Sequence, residues 1–585
     1  MIIMPFKISP FYAIVFAAKT IFTALLPTFS IFITAEFLNT SVEVYNQTVP
    51  ISAVYKSVGL LAGIMIYNSF INIVMNFLEC KREIYYRNKL APMMLERQAK
   101  LEYHYIENPQ TADLIHRVCP KFQTNIWEMY LQVLNVVDLV IYITGIMISL
   151  FTQVWWIAVC IFVATIPILY IATKAGRNSY NADREMSKID RRVTYLSSVM
   201  KDRDAVEERN VYEYTDYLNS QYTEKYEFAR KFRLKVIGNN FIKQKSGGIL
   251  TTFFSVGVLL ALLTPVVTGK LDFSMFVALM GAVFGLSSRL SWGVNRIVED
   301  LTKKREYLKD LTEFMMLEEQ ADAIAFPEKN MTFKTIDFKE VSFKYPGTDK
   351  LILDRITFTI ENGKHYSFVG ENGAGKTTII KLITGLYTNY EGEILVDGIS
   401  LRTFTQAQVK GLSSVVYQDF VKYSISLYEN IALGDLNHLE NRESVDQAIK
   451  IVGLSETVNK LKDGLETPLG KVLPDGVDLS GGEWQRVAMA RSIVSKAPLK
   501  ILDEPTAALD PVSESKIYND FEKISKGMTT IFISHRLGST KLADIIYVLA
   551  GGKIIESGSH STLISQNGEY ARMWNFQAKW YKMDK

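Results

Sequence analysis

Cysteine is scarce in this 585-residue chain: Cys80, Cys119 and Cys160 stand far apart, with no second cysteine at disulfide or zinc-ligand spacing. That excludes a disulfide framework and a structural zinc site. Histidine is scarce too, and His104, His116 and His438 fall in no motif, which leaves them as surface or packing residues. A net charge of +3 is too small to single out a polyanion, so no nucleic-acid partner is expected. The first apolar run lacks the short apolar region followed by a small-residue cleavage site that marks a signal peptide, so it stays in the mature chain. Internal repeats and low-complexity segments are missing as well.

Apolarity, by contrast, is plentiful and uneven. A mean hydropathy of +0.07 averages two unlike halves. Six runs, at 11–38, 57–79, 129–152, 154–173, 248–268 and 272–291, are long and uncharged enough to cross a bilayer, which takes about 20 residues of helix. Residues 1–12, with Pro5 and Pro10 as helix breakers, are expected to lie along the membrane surface before the chain turns in. The connections 80–127 and 174–247 carry eight and sixteen Lys and Arg, while the opposite loops offer little beyond Lys56 and Lys270. The two long connections are therefore cytoplasmic. Both termini and everything after the last run then face the cytoplasm.

The organisation read from this pattern is a transmembrane domain of six helices over 1–317, a linker at 318–330 and a soluble α/β domain over 331–585. The long loops keep helical periodicity, as in Ile189, Val193, Leu196 and Met200, so they extend the spans well into the cytoplasm at about 1.5 Å per residue. At their tips, "NPQTADLIHR" (108–117) reads as a short helix started by Pro109 and Thr111. Residues 203–215 form its counterpart in the second loop. Both are candidate couplers, or else plain solvated helix.

In the soluble half, "HYSFVGENGAGKTTIIKLITGL" is a strand, a glycine-rich turn and a helix. Gly370, Gly373 and Gly375 let backbone N–H groups close around phosphate, Lys376 brings a cation to the β and γ groups, and Thr377 offers a hydroxyl to Mg²⁺. Asn372 and Thr378 complete the nucleotide-contacting set. Downstream, "LKILDEPTAALD" places an acidic pair after a short apolar strand. Asp503 suits the Mg²⁺ shell and Glu504 the polarising of an attacking water. Lys500 interrupts that strand and is expected at its entry, with the ammonium reaching solvent.

These motifs, together with Gln418 in "VVYQDF", "LSGGE" at 479–483, "AALD" and His535 in "IFISHRL", stand in the order and spacing of ATP-binding cassette (ABC) proteins. Six spans followed by one cassette resemble a half-transporter of the ABC exporter type. "YIENPQTADLIHR" and "DGVDLSGGEWQR" are similar to segments of half-transporters associated with lantibiotic and other peptide export. The resemblance implies that Tyr345 stacks on adenine, that Gln418 meets Mg²⁺ or the attacking water, that His535 holds the γ-phosphate, and that Asp510 links two sites. It further implies that Ser480, Gly481 and Gly482, an anion-binding helix start, face the ATP of a partner cassette. A homodimer would use every motif twice, and a heterodimer is the alternative. Glu483 stands where the family usually has Gln. Both cap a helix start, and the added charge near phosphate is the departure that bears on turnover.

For cargo, the membrane half offers Asn68, Asn72 and Asn76 on one helix face, and Asp138 as the acidic residue well inside a span. The asparagines line a wet cavity or bond to another helix. Lys19 and Arg289 are expected at the cytoplasmic interface. The expectation is an ATP-driven exporter of an amphipathic, cationic peptide, in a bacterial inner membrane and with no peptidase domain ahead of the first span. A multidrug or lipid exporter is the alternative, and an ATP-gated channel or regulatory subunit is the alternative of another class.

Overall fold

A computed structural model describes residues 3–202, 205–473, 475–503, 527–533 and 537–582. It divides into two compact units, one of Met1–Leu95 with Asp113–Met316, the other of Glu96–Ala112 with Leu317–Lys585.

The first unit is helical. A short helix Met4–Ile8 ends at Ser9, whose backbone leaves the helical region, and a 36-residue helix follows from Pro10 to Tyr45. The break falls at Ser9 and Pro10, as the sequence indicated, whereas Pro5 sits in the first turn of the short helix and does not break it. Helices occupy all six apolar runs. Among the described residues three stretches are long and apolar enough to cross a membrane, Pro10–Tyr45, Ile51–Lys100 and Pro109–Trp156. Ser255–Val267 and Phe273–Ser288, in the fifth and sixth runs, are apolar but shorter. Most side chains of the fourth run lie outside the described residues. The 80-residue helix Phe122–Lys201 breaks at Val154 (φ −146°, ψ 81°), between the third and fourth runs.

Two apolar centres hold this unit. Ile146, Leu150, Leu262, Leu279 and Val283 belong to one buried cluster. At the other, Trp127 packs its ring edge-on to Phe16 and Tyr86 at 5.0 and 5.5 Å, under the Arg82 guanidinium at 4.7 Å. Aromatic edges and a cation over the indole face add specific geometry to plain burial.

The second unit is built on two sheets. Strand β1 (Thr335–Lys344) alternates apolar and polar side chains and pairs antiparallel with β2 (Leu351–Glu361) and β4 (Glu391–Val396). Phe338 and Phe358 stack across the β1–β2 pair at 4.3 Å. β4 also pairs with β5 (Ile399–Ser400). The second sheet holds β3 (His365–Gly370), β6 (Ser413–Val416), β7 (Leu499–Asp503), β8 (Thr529–Ile533), β9 (Ile545–Ala550) and β10 (Lys553–Gly558) in the order β10-β9-β3-β8-β7-β6. All of its pairings except β9–β10 are parallel. β7 and β8 are buried along their whole length, as expected for central strands covered on both faces.

Residues 317–330 are anchored. Gln320 N donates to the Lys100 carbonyl at 2.7 Å, Leu101 and Glu319 form a β-bridge, and Glu328 N donates to the Ala407 carbonyl at 2.8 Å. A short stretch of the connection between the second and third apolar runs is thereby tied into the second unit.

Lys500 departs from expectation. Its side chain is buried, and the ammonium donates to the carbonyls of Ser492 (2.8 Å) and Ser495 (2.5 Å). Those carbonyls end the helix Gly481–Val494, so the cation meets orphan acceptors and the negative end of the helix instead of water. Burial lowers its pKa to about 8 from the ordinary 10.5. The unfolded chain therefore holds this proton more tightly, and the contribution of Lys500 to stability rises as pH climbs from about 8 toward 10.5. In thermal melts, the native chain should gain on Lys500→Met between about pH 7.5 and about pH 9.5. A difference that does not change with pH would contradict this placement.

Candidate nucleotide-binding and transport site

Because its strands are parallel, the second sheet brings their carboxyl ends to one edge, the place where α/β sheets bind ligands. Gly370 ends β3 and opens the phosphate loop. Its φ is +150°, and a Cβ there would stand 2.2 Å from the Leu549 carbonyl oxygen, so only glycine fits. Gly375 caps the next helix, Lys376–Ile383, with φ +102°, and a Cβ would meet Leu353 Cδ2 at 2.6 Å. Lys376 is buried and donates from Nζ to the carbonyls of Gly370 (2.9 Å) and Glu371 (3.0 Å), which holds the ammonium at the mouth of the loop. Asn372 and Gly373 are exposed on the same loop, and Thr377 is exposed in the first turn of the helix.

Neighbouring strands deliver the remaining groups. β7 ends at buried Asp503, which pairs in register with Ile533 of β8. β6 runs beside β7, with Val416 opposite Leu502, so Gln418 follows at the same edge and is exposed. Glu504, Asp510 and His535 lie outside the described residues. Tyr345 follows β1, and its hydroxyl lies 3.0 Å from Thr378 Oγ1.

Ser480 is the N-cap of Gly481–Val494 in a capping box: Glu483 N donates to Ser480 Oγ (3.3 Å), and Ser480 N donates to Glu483 Oε2 (2.9 Å). The Ser480 hydroxyl also donates to Glu483 Oε2 at 2.8 Å, and the Thr457 hydroxyl donates to Oε1 at 2.8 Å. Partial burial opposes ionisation of Glu483, but the Ser480 bonds outweigh it and hold the carboxyl below its ordinary pKa. Ser480 and Gly481 are exposed, so the helix start opens on solvent. A cleft of about 570 Å³ lies beside the edge strand β6, lined by Pro327, Tyr423, Leu433 and Arg491 among others, and none of the phosphate-loop residues lines it. At the phosphate edge Asn372, Gly373, Thr377 and Gln418 are exposed among the described residues.

In the membrane unit Asn68, Asn72 and Asn76 are all exposed, and Asn72 Nδ2 donates to the Asn68 carbonyl at 2.8 Å. Neighbouring Met65, Ile66, Phe70, Ile73 and Phe77 are exposed as well, so exposure does not set the asparagine face apart. Arg289, expected at the interface, closes on Asp138 at 2.7 Å and lies over the Tyr142 ring at 4.1 Å. Each partner stands about 24 Å of helix from Val154 or Phe273, at 1.5 Å per residue. Arg289 opens a π-helical turn, Arg289–Gly293, a local widening often found at functional positions. Asp138 therefore presents half of an ion pair, not a lone carboxylate.

The candidate coupler at 108–117 is helical from Pro109 to Val118, and the Asn108 side chain caps its start by accepting from Gln110 N at 2.8 Å. In the second loop Val206–Tyr212 is helical, while residues 203 and 204 lie outside the described residues. Sequence reasoning missed Tyr103, Glu107, Lys381 and Tyr387. Their one visible signal is the run of aromatics just before "NPQT".

Residues 353–507 match the ABC transporter family. The subtilin transport ATP-binding protein of Bacillus subtilis is 26% identical over 556 residues, 95% of this chain and 90% of that protein. That match runs over both the apolar half and the half that carries the phosphate loop. The chain is an ABC transporter of the exporter type. Its fold is that of a bacterial Atm1-family ABC exporter solved with ATP bound, at a TM-score of 0.81 and 23% identity over 97% of this chain and 98% of that one. The ATP-dependent lipid A-core flippase of Pseudomonas aeruginosa is 39% identical over 246 residues, 42% of this chain and 40% of that protein. The transporter binds ATP and couples its hydrolysis to transport.

Glu483 adds one negative charge at the helix start and competes for the Ser480 proton. Glu483→Gln keeps the cap, and the KM for ATP should fall about 2- to 5-fold, the scale of one partly screened charge. Steady-state hydrolysis over a range of ATP concentrations measures it, and an unchanged KM would show the charge to be without effect on binding.

Proposed function

We propose that the transporter works as a homodimer that exports amphipathic, cationic peptides across a bacterial inner membrane, with six spans per chain and both cassettes in the cytoplasm. One observation carries this reading: a relative matched end to end is a subtilin transport protein, while the lipid A-core flippase is similar over less than half of the chain. The retained ATP-site set, with Glu504 and His535 in register, favours a pump over a gated channel.

The exposure of Asn372, Gly373 and Thr377 supports a composite site. One cassette offers the phosphate loop, Lys376 and Asp503 on one side only, and the γ-phosphate needs donors on its far side as charge develops. The exposed start at Ser480, Gly481 and Gly482 is such a donor set, and a head-to-tail pair brings it there. Among the described residues no group of three or more His, Cys, Asp or Glu could hold a metal. Mg²⁺ nonetheless fits Thr377, Asp503 and Gln418, all oxygen donors, with phosphate oxygens completing its shell. When bound it supplies charge neutralisation at the β and γ groups. Glu504 accepts the proton of the attacking water, Asp510 links the two sites, and His535 holds the γ-phosphate. Asn68, Asn72 and Asn76 then serve as polar cavity lining, and the pair Asp138–Arg289 offers cargo both signs of charge.

In vesicles reconstituted with the purified transporter, cationic amphipathic peptides should stimulate hydrolysis, and Glu504→Gln should lower turnover by about 10²- to 10⁴-fold. Stimulation by lipids or neutral drugs instead of peptides would replace the cargo assignment and leave the exporter intact. The dimer is tested separately in covalently linked pairs. Lys376→Ala in one half with Ser480→Arg in the other should cripple one composite site and spare its twin, whereas both changes in one half should damage both. The inverse pattern would mean that each cassette works alone.

A further inference from the structure

Beside the phosphate loop lies a cluster that hydrolysis does not account for. Lys381, one turn beyond Lys376 and Thr377 on the same helix, donates from Nζ to Glu107 Oε1 at 2.8 Å. Its ammonium sits over three rings at once, Tyr345 at 5.1 Å, Tyr103 at 5.5 Å and Tyr387 at 5.9 Å. The Tyr387 hydroxyl donates to the other oxygen of Glu107. Tyr387 stands edge-on to both Tyr103 (5.6 Å) and Tyr345 (5.5 Å), and Phe343 packs edge-on to Tyr345 at 5.1 Å.

Tyr345 is thus restrained on several sides, its ring edge by Phe343 and Tyr387, its hydroxyl by Thr378, and its π system by the cation of Lys381. Lys381 takes its place in turn from Glu107, at the end of the short helix Tyr103–Glu107. That helix belongs to the first cytoplasmic connection, and its approach is fixed by the bridge between Leu101 and Glu319 and the bond from Gln320 N to Lys100 O. Partial burial opposes ionisation of Glu107, yet bonds from Lys381 and Tyr387 outweigh it and keep the carboxyl below its ordinary pKa. Burial likewise works against the Lys381 ammonium, and Glu107 reverses that. Both groups are charged at neutral pH.

We propose that Glu107 and Lys381 are positioning residues for the nucleotide base: through Lys381, the first cytoplasmic connection sets the orientation of Tyr345, so that affinity for adenine depends on where the 103–107 segment sits. This rests on Tyr345 stacking against the base. The coupling is reciprocal by thermodynamic necessity. Any displacement of the segment that weakens ATP binding is itself opposed by bound ATP.

The test uses the full-length transporter and reads KM against kcat for ATP and for CTP, a nucleotide with a smaller base to stack. Glu107→Gln and Lys381→Met should raise the KM for ATP about 3- to 10-fold, the scale of one aromatic contact. They should reduce kcat less and narrow the preference for ATP over CTP. Lys381→Arg, which keeps the cation, should stay near the native KM and shows that the site tolerates substitution. Tyr345→Ala should give the same shift, and adding Glu107→Gln to it should bring no further loss. If Tyr345→Ala shifts KM and base preference but Glu107→Gln and Lys381→Met do not, the positioning role is wrong and base stacking stands. If Tyr345→Ala shifts neither, the stacking assignment fails and takes the proposal with it. A loss confined to kcat would also overturn the proposal, since it would place the effect on turnover and not on the base.

Discussion

The cassette depends on the alignment of parallel strands at one edge of a sheet, because residues far apart in sequence reach ATP only if their strands end together. The pairings of β6 with β7 and of β7 with β8 set that alignment, and because β7 and β8 are buried on both faces a one-residue slip is costly, since each side chain would meet the packing built for the opposite face. Gly370 adds a steric condition, since the backbone passes so close to Leu549 that no side chain fits. Lys376 can then be held at the loop mouth by two carbonyls that the same turn exposes.

Charge placement follows the same economy. Lys500 and Glu483 occupy opposite ends of the helix Gly481–Val494, the ammonium at its carbonyl end and the carboxylate in its first turn, and each sign suits the local dipole. In the membrane unit Asp138 and Arg289 satisfy one another. An unpaired ion at that depth would be expensive, and a paired one is kept at lower cost. The ion pair between Glu107 and Lys381 differs in kind, because its worth lies less in Coulomb energy at a half-exposed site than in the aromatic group it orients.

Much of this was legible in the sequence. Periodicity and run length exposed the helical membrane half, and the spacing of Gly370, Lys376, Asp503 and Ser480 marked the candidate nucleotide site, because phosphate binding demands particular residue types at fixed local offsets. Pro109 opens its helix as the sequence indicates, whereas the Asn108 side chain that accepts from Gln110 N is chosen by geometry, since several residues there can cap. For Lys500 the sequence points to water, because a lysine inside a strand ordinarily finds solvent, and nothing local reveals that two carbonyls wait behind it.

What the sequence determined by itself are the properties that live within one turn or one strand: which segments are apolar, where a glycine is obligatory, which residues can grip phosphate. Tertiary structure alone decided the pairing of Asp138 with Arg289, the burial of Lys500 and the meeting of Glu107, Lys381 and Tyr387. Those partners are separated by 151, 8 and up to 280 positions. Even at eight positions, a helix end and a strand must pack before the groups can touch. Contacts of this kind carry no periodic or motif signal, because they arise only once loop closure has been offset by burial elsewhere.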